Sequence, residues 1–167
     1  VMDLVADADS VTFCLSKGLS APVGSIVCGS KEFIYEARRI RKALGGGMRQ
    51  AGIIAAAGIF SLDNMLDQIR KDHENAKRLA EGINQIEGLS IDLKNIKTNI
   101  LYFDINKGTS RCDELSQQTQ NMDIYPFEIK LDNIRFFESQ FSRFRLVTHF
   151  GITGDDIEKT LLVLQDI

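Results

Sequence analysis

Apolar and polar positions along this chain recur with two periods, and the switches between them map its elements. Val11 to Leu15 and Ser25 to Cys28 read as two short strands around a turn of small residues. From Ser30 the period lengthens. Phe33, Ala37, Ile40 and Leu44 fall on one helical face, with Arg38, Arg39, Arg41 and Lys42 mostly on the others. Ser30 is a good N-cap, and Gly45 to Gly47 can end the helix. "MRQAGIIAAAGIF" then predicts a helix that is apolar nearly all round, which implies burial on most sides.

Ser61 can cap the next helix, in which Leu62, Met65, Leu66, Ile69, Ala76, Leu79, Ala80, Ile83 and Ile86 keep helical spacing until Gly88. Strand-like runs follow at Leu89 to Leu93 and Thr98 to Ile105, then a helix opened by the S-x-x-D pattern of Ser110 to Asp113. Ile124 to Ile129 and Arg143 to Phe150 are further strands, and Thr153, with Asp156 three residues on, caps a last helix. The expected organisation is residues 1–62 as the end of a larger domain, 63–88 as a long connecting helix, and 89–167 as a small α+β domain. The chain opens with a helix tail that runs straight into a strand, without an initiator Met, so we expect it to be cut from a larger protein.

Composition narrows the function classes. With 167 residues, 44% hydrophobic and 26% charged, the chain has the balance of a globular domain with a sizeable core. A net charge of -3 gives no global basic field for nucleic acid or anionic lipid, so any anion site must be local. No apolar run approaches the roughly 20 residues of a membrane span, and no secretory pattern opens the chain. Cys14, Cys28 and Cys112 have neither metal-ligand nor disulfide spacing, and the first two lie in apolar strands. Buried free thiols in a reducing compartment, the cytoplasm or else an organelle matrix, are the expectation.

Three stretches could carry chemistry. Lys17 stands on the turn between the opening strands, where Gly18, Ala21, Pro22 and Gly24 keep large side chains away. A lysine among apolar neighbours loses hydration of its ammonium form, and the neutral amine can then attack a carbonyl. The other reading is a solvated lysine on a surface turn. "RRIRKALGGGMRQAG", from Arg38 to Gly52, joins basic side chains to glycines and a helix start, a combination able to hold phosphate or simply to end a helix with its arginines in water. Arg145 opens an apolar strand, where its guanidinium could pair with a carboxylate or sit on a sheet edge. His149 shares that strand face with Arg145 and Val147 and reads as a structural, hydrogen-bonded histidine. His73 reads as ordinary surface. No metal-ligand set has convergent spacing, and no aromatic-plus-basic cluster suits nucleic acid bases.

Together "SVTFCLSKGLSAPVGS", "RRIRKALGGGMRQAGIIAAAG" and "RLVTH" resemble the low-specificity L-threonine aldolases, in the same order and most closely from Asp9 to Gly58. The resemblance implies the α/β fold of fold-type I, aspartate aminotransferase-like pyridoxal 5'-phosphate enzymes: the end of the large domain followed by the small one. It implies that Lys17 holds the cofactor as a Schiff base. Lys42 and Arg49 would lie near the phosphate and the mouth of the site, often across a subunit interface, and Arg145 would pair with the substrate carboxylate. The implied reaction cleaves threonine, allo-threonine or related β-hydroxy-α-amino acids to glycine and an aldehyde, in a homo-oligomer or with a companion chain.

Two departures accompany the resemblance. The family's phosphate-cradling turn, ring-stacking histidine and pyridine-facing aspartate all precede its lysine by far more than the sixteen residues present here. Asn121 to Gln140 lacks the glycine-containing approach to the RLVTH strand, and no glycine occurs between Gly108 and Gly151. A noncatalytic truncated paralogue and another fold-type I lyase or aminotransferase therefore remain as alternatives.

Overall fold

A computed structural model describes residues 2–106, 128–131, 134–140 and 143–165. Two compact units divide it, Val1–Gln68 and Ile69–Ile167.

In the first unit β1 (Ser10–Cys14) and β2 (Ser25–Gly29) form an antiparallel hairpin in which Ser10 faces Gly29 and Cys14 faces Ser25. α1 (Lys31–Ala43) starts at Ser30, whose hydroxyl accepts the Phe33 N–H at 3.1 Å, as its N-cap chemistry predicts. Its C-terminus is a Schellman turn. Gly45 takes φ +84°, its N–H donates to the Lys42 carbonyl, and the Gly46 N–H donates to the Arg41 carbonyl.

α2 (Gly52–Asn64) departs from expectation. Only Gly58 and Ser61 are buried, and Ile53 is 83% exposed. A two-stranded hairpin is too narrow to cover an all-round apolar helix. Ser61 also caps nothing: it lies inside α2, and its hydroxyl bonds back to the Ala57 carbonyl at 2.9 Å. α3 (Leu66–Ile83) begins after a break at Met65 and ends a turn and a half before Gly88. Cys14 and Cys28, expected to be buried, are exposed, as are four of the five residues of each strand, because the described residues leave most of this two-stranded hairpin open to water.

The second unit is a two-layer α+β arrangement. Its antiparallel sheet has the order β3 (Leu89–Ser90), β4 (Ile100–Ile105), β7 (Arg143–Val147), β6 (Ile134–Gln140), β5 (Glu128–Leu131). One face carries Leu101 and Phe103 of β4 and Phe144 of β7. These pack with Ala76, Leu79 and Ile83 of α3 and with Ile157 and Leu164 of α4 (Gly154–Gln165). The Phe103 and Phe144 rings stack at 5.5 Å. Leu161 of α4 presses onto Gly82 of α3 in the space a Cβ would take. Thr153 caps α4 as predicted. Its N–H and hydroxyl both donate to Asp156 Oδ2, at 2.8 and 2.6 Å, and the Asp156 N–H returns to the Thr153 hydroxyl.

The run expected at Leu89 to Leu93 pairs only at Leu89 and Ser90 before a 3-10 turn at Leu93–Asn95. β6 was not foreseen. β5 and β6 form a hairpin with Leu131 opposite Ile134. The helix expected after Ser110, the start of the strand expected at Ile124, and Cys112 lie outside the described residues.

Candidate functional site

The sequence brings Lys17 to the tip of the first hairpin, and Leu15 fixes the turn that carries it. Leu15 N–H donates to the Gly24 carbonyl at 2.9 Å, and the Leu15 carbonyl accepts from Ala21 N–H at 3.0 Å. Ser20, in the left-handed region at φ +58°, donates to the Lys17 carbonyl at 2.8 Å. The Leu15 side chain is buried, and its Cδ1 fills the space where a Cβ at Gly58 (2.9 Å away) or at Gly24 (3.4 Å) would stand. The turn is therefore pinned to α2 through an apolar plug, two residues from the amine. Lys17 itself is exposed. Of the two local readings this is the solvated one, because Ser16, Gly18 and Ser20 beside it are too small to cover a four-carbon stem.

Lys42 and Arg49 belong to the same unit. Lys42 lies in the last turn of α1 and Arg49 in the loop that follows; both are exposed. The Lys42 side chain folds back over the glycine run. A Cβ on Gly47 would stand 2.5 Å from its Cδ and 3.0 Å from Nζ, so the glycine leaves room for the ammonium above the loop. An amine on a pinned turn and cationic side chains around a glycine loop are the donor types that pyridoxal phosphate requires, a carbonyl anchor and phosphate partners. The residues present fit that part of the cofactor.

Arg145 lies in the second unit, on the central strand of the sheet rather than on an edge, because β6 and β5 extend the sheet beyond β7. Alternation along β7 turns Phe144 inward and leaves Arg143 and Arg145 exposed. The two arginines are not equivalent. Arg143 makes two 2.9 Å hydrogen bonds to the Asp104 carboxylate on β4. These bonds and the carboxylate charge raise the guanidinium further above its ordinary value. Arg145 has no hydrogen bond or ion pair among the described residues, which leaves its donors available for an incoming carboxylate.

The end of β7 is held by polar contacts that sequence reasoning missed. Buried Thr148 donates its N–H to the Asn99 carbonyl at 3.0 Å and its hydroxyl to the Asp72 carbonyl, while Asn99 Nδ2 donates to the Thr148 carbonyl at 2.6 Å. The alternation of Tyr102-Phe103-Asp104 against Arg143-Phe144-Arg145 is a readable signal for the Asp104–Arg143 pair alone, and nothing comparable in the sequence marks the Thr148 contacts. His149 lies past the end of the strand. Its Nδ1 is 2.8 Å from the Phe150 carbonyl, which can only accept, so Nδ1 carries the proton. His149 and Arg145 line one recess of about 420 Å3, together with Leu79 and Thr160.

Comparison with known proteins bears on the reading of these residues. The chain is 39% identical over 165 residues to low-specificity L-threonine aldolase 1 of Arabidopsis thaliana, covering 99% of this chain and 44% of that one. It is 46% identical over 149 residues to low specificity L-threonine aldolase of Escherichia coli K12, covering 89% and 40%. It therefore spans less than half the length of these relatives. A structure assigned to an L-allo-threonine aldolase of Listeria monocytogenes EGD-E superposes with a TM-score of 0.68 at 16% identity, over 98% of this chain and 46% of the other. This backbone likeness gives the C-terminal part of the fold-type I architecture. The family model described as beta-eliminating lyase matches residues 1–106, so the chain belongs to the beta-eliminating lyase family.

Proposed function

We propose that this chain carries the lysine-bearing half of a threonine aldolase site and acts, within the longer protein it matches, as a carbon–carbon lyase. The substrates are L-threonine, L-allo-threonine and related β-hydroxy-α-amino acids, and the products are glycine and an aldehyde. The observation that carries the reading is Lys17: an exposed amine on a turn held by buried Leu15, within the SVTFCLSKGLSAPVGS stretch whose pattern resembles the aldolases.

Bound pyridoxal phosphate would supply the sink for the electrons of the breaking Cα–Cβ bond. Lys17 Nζ would offer the covalent anchor for the cofactor carbonyl and, as a free amine, could hold or pass a proton. Lys42 and Arg49 offer cationic donors to the phosphate. Arg145 offers two parallel N–H groups to the substrate α-carboxylate, which orients the bond to be broken. In the overall cleavage the β-hydroxyl loses its proton as the aldehyde forms, and Cα gains one as glycine forms. Assembly as a homo-oligomer, or with a companion chain, and residence in the cytoplasm belong to the same proposal. Exposed Ile53 and Phe60 favour the first and the free thiols of Cys14 and Cys28 the second.

The test is release of glycine and acetaldehyde from L-threonine by the longest protein that carries this sequence. Lys17→Ala should abolish it, and Arg145→Lys should raise KM more than it lowers kcat. Full activity in Lys17→Ala would refute Lys17 as the cofactor lysine.

A further inference from the structure

The three glycines that follow α1 are adjacent in sequence, yet each is glycine for a different physical reason. Gly45 takes φ +84°, where any Cβ would be strained. Gly46 is crowded by backbone. Its N–H donates to the Arg41 carbonyl at 2.8 Å, and a Cβ would stand 3.1 Å from that oxygen and 3.0 Å from Arg41 Cγ. Gly47 answers to neither reason: its φ is not positive, and the three nearest atoms that a Cβ would meet all belong to the Lys42 side chain. They are Cδ at 2.5 Å, Nζ at 3.0 Å and Cε at 3.3 Å.

A methylene 2.5 Å from a Cβ has to move. Lys42 is exposed in the last turn of α1, and its flexible four-carbon stem yields by changing rotamer while the helix stays in place. A side chain at position 47 therefore displaces the amine at little cost in stability. The displacement matters for anion binding, because a lysine already lying over the loop gives up less rotamer freedom when an anion arrives than one that swings in water.

We infer that Gly47 is a positioning residue for Lys42: by carrying no Cβ it lets the stem lie across the glycine loop and holds the ammonium above it, preset for a phosphate group. The inference rests on the reading of Lys42 as a phosphate partner of the cofactor. Gly47 acts through the lysine stem alone, so the effect of a methyl group at position 47 should vanish when that stem is removed.

The experiment uses the longest protein that carries this sequence, freed of cofactor, with Gly47→Ala, Lys42→Ala and the double variant. Equilibrium dialysis measures the affinity of each for pyridoxal 5'-phosphate and for pyridoxal, which lacks the phosphate, and thermal unfolding measures the stability of the cofactor-free forms. We expect Gly47→Ala to weaken binding of pyridoxal 5'-phosphate about two- to tenfold, the range set by the freedom of one long side chain. Its affinity for pyridoxal and its unfolding midpoint should match the parent. Lys42→Ala should weaken the phosphate form at least as much, and adding Gly47→Ala to it should change nothing further. Parent-like affinity in Gly47→Ala would overturn the inference, and so would a lowered midpoint, an equal loss for pyridoxal, or the same loss again in the Lys42→Ala background. If Lys42→Ala binds pyridoxal 5'-phosphate as the parent does, the phosphate reading of Lys42 fails and the inference falls with it. A loss in Lys42→Ala with none in Gly47→Ala removes the role of Gly47 and leaves that reading standing.

Discussion

Leu15 seats its terminal methyl where a side chain at Gly58 would have to be, and this contact ties the Lys17 turn to α2. A Cβ at Gly58 would lie 2.9 Å from Leu15 Cδ1, and Leu15 cannot retreat freely because it is buried, with Gly24 on its other side. Gly58→Val should therefore destabilise the first unit by about 1–3 kcal/mol, the usual cost of overpacking. Leu15→Ala removes the plug and should cost about 2 kcal/mol or more on its own. In the double variant the costs should not add, because the valine can occupy the vacated space. Denaturant melts of the four chains give the coupling energy, and strict additivity would contradict the contact.

Gly45 and Gly52 separate the two reasons for placing glycine next to a helix. Neither would meet a neighbouring atom within 4 Å if given a Cβ, so space does not distinguish them. Conformation does: Gly45 sits at φ +84° in the Schellman turn, and Gly52 has no positive φ. Gly45→Ala should cost about 1–2 kcal/mol. Gly52→Ala should be neutral or stabilise by about 0.5 kcal/mol through a less flexible unfolded chain. Thermal unfolding of both variants checks the sign of each.

Local chemistry was legible where one residue and its near neighbours decide the outcome. Ser30 and Thr153 cap the helices they were expected to cap, and Gly45 ends the first, because each answers an unpaired backbone group within a few residues. The helix starting at Ser61 failed for a related reason. A serine inside a helix can bond its own preceding turn, and nothing local separates that from a cap. β6 was not legible because Ile134 to Gln140 breaks the period-2 alternation at the adjacent Phe136 and Phe137, and without that strand Arg145 loses its central place. Burial in the first unit was not legible, since a local apolar pattern reports what a helix requires rather than what surrounds it.

The Thr153–Asp156 box gives α4 a pH dependence of definite sign. Hydrogen bonds from the Thr153 hydroxyl and N–H hold the Asp156 carboxyl below its ordinary value, with a smaller contribution from Lys159. A carboxyl depressed by folding stabilises above its unfolded value, and the contribution fades as pH falls through the folded value. The loss should thus appear below about pH 4. Glu32, in the first turn of α1, is lowered in the same direction by its backbone and Ser30 hydrogen bonds, and should add to the loss. Asp156→Asn should flatten the acid limb of the stability profile. Thr153→Ala should cost about 1 kcal/mol at neutral pH and flatten it too. An acid limb unchanged in both variants would rule the box out as its source.

The first unit presents more apolar surface than water tolerates on an isolated monomer. Ile53, Ile59 and Phe60 on α2 are 83%, 60% and 62% exposed, and Leu44 and Met48 in the loop before it are 82% and 65% exposed. Scattered exposed leucines are ordinary, but α2 exposes three large apolar side chains within about two turns of a helix whose polar face is minimal. Burying apolar area returns about 25 cal/mol per Å2, so association of such faces is favoured even when the partner is merely another copy. The 167-residue chain should therefore self-associate at micromolar concentration, with assembly weakened by cooling as hydrophobic association requires. Sedimentation velocity at several concentrations measures this directly. Ile53→Lys with Phe60→Lys should shift the distribution toward monomer without touching Leu15 or the Lys17 turn. A compact monomer of the parent chain, unchanged by those two charges, would mean that the α2 face is not sticky in solution.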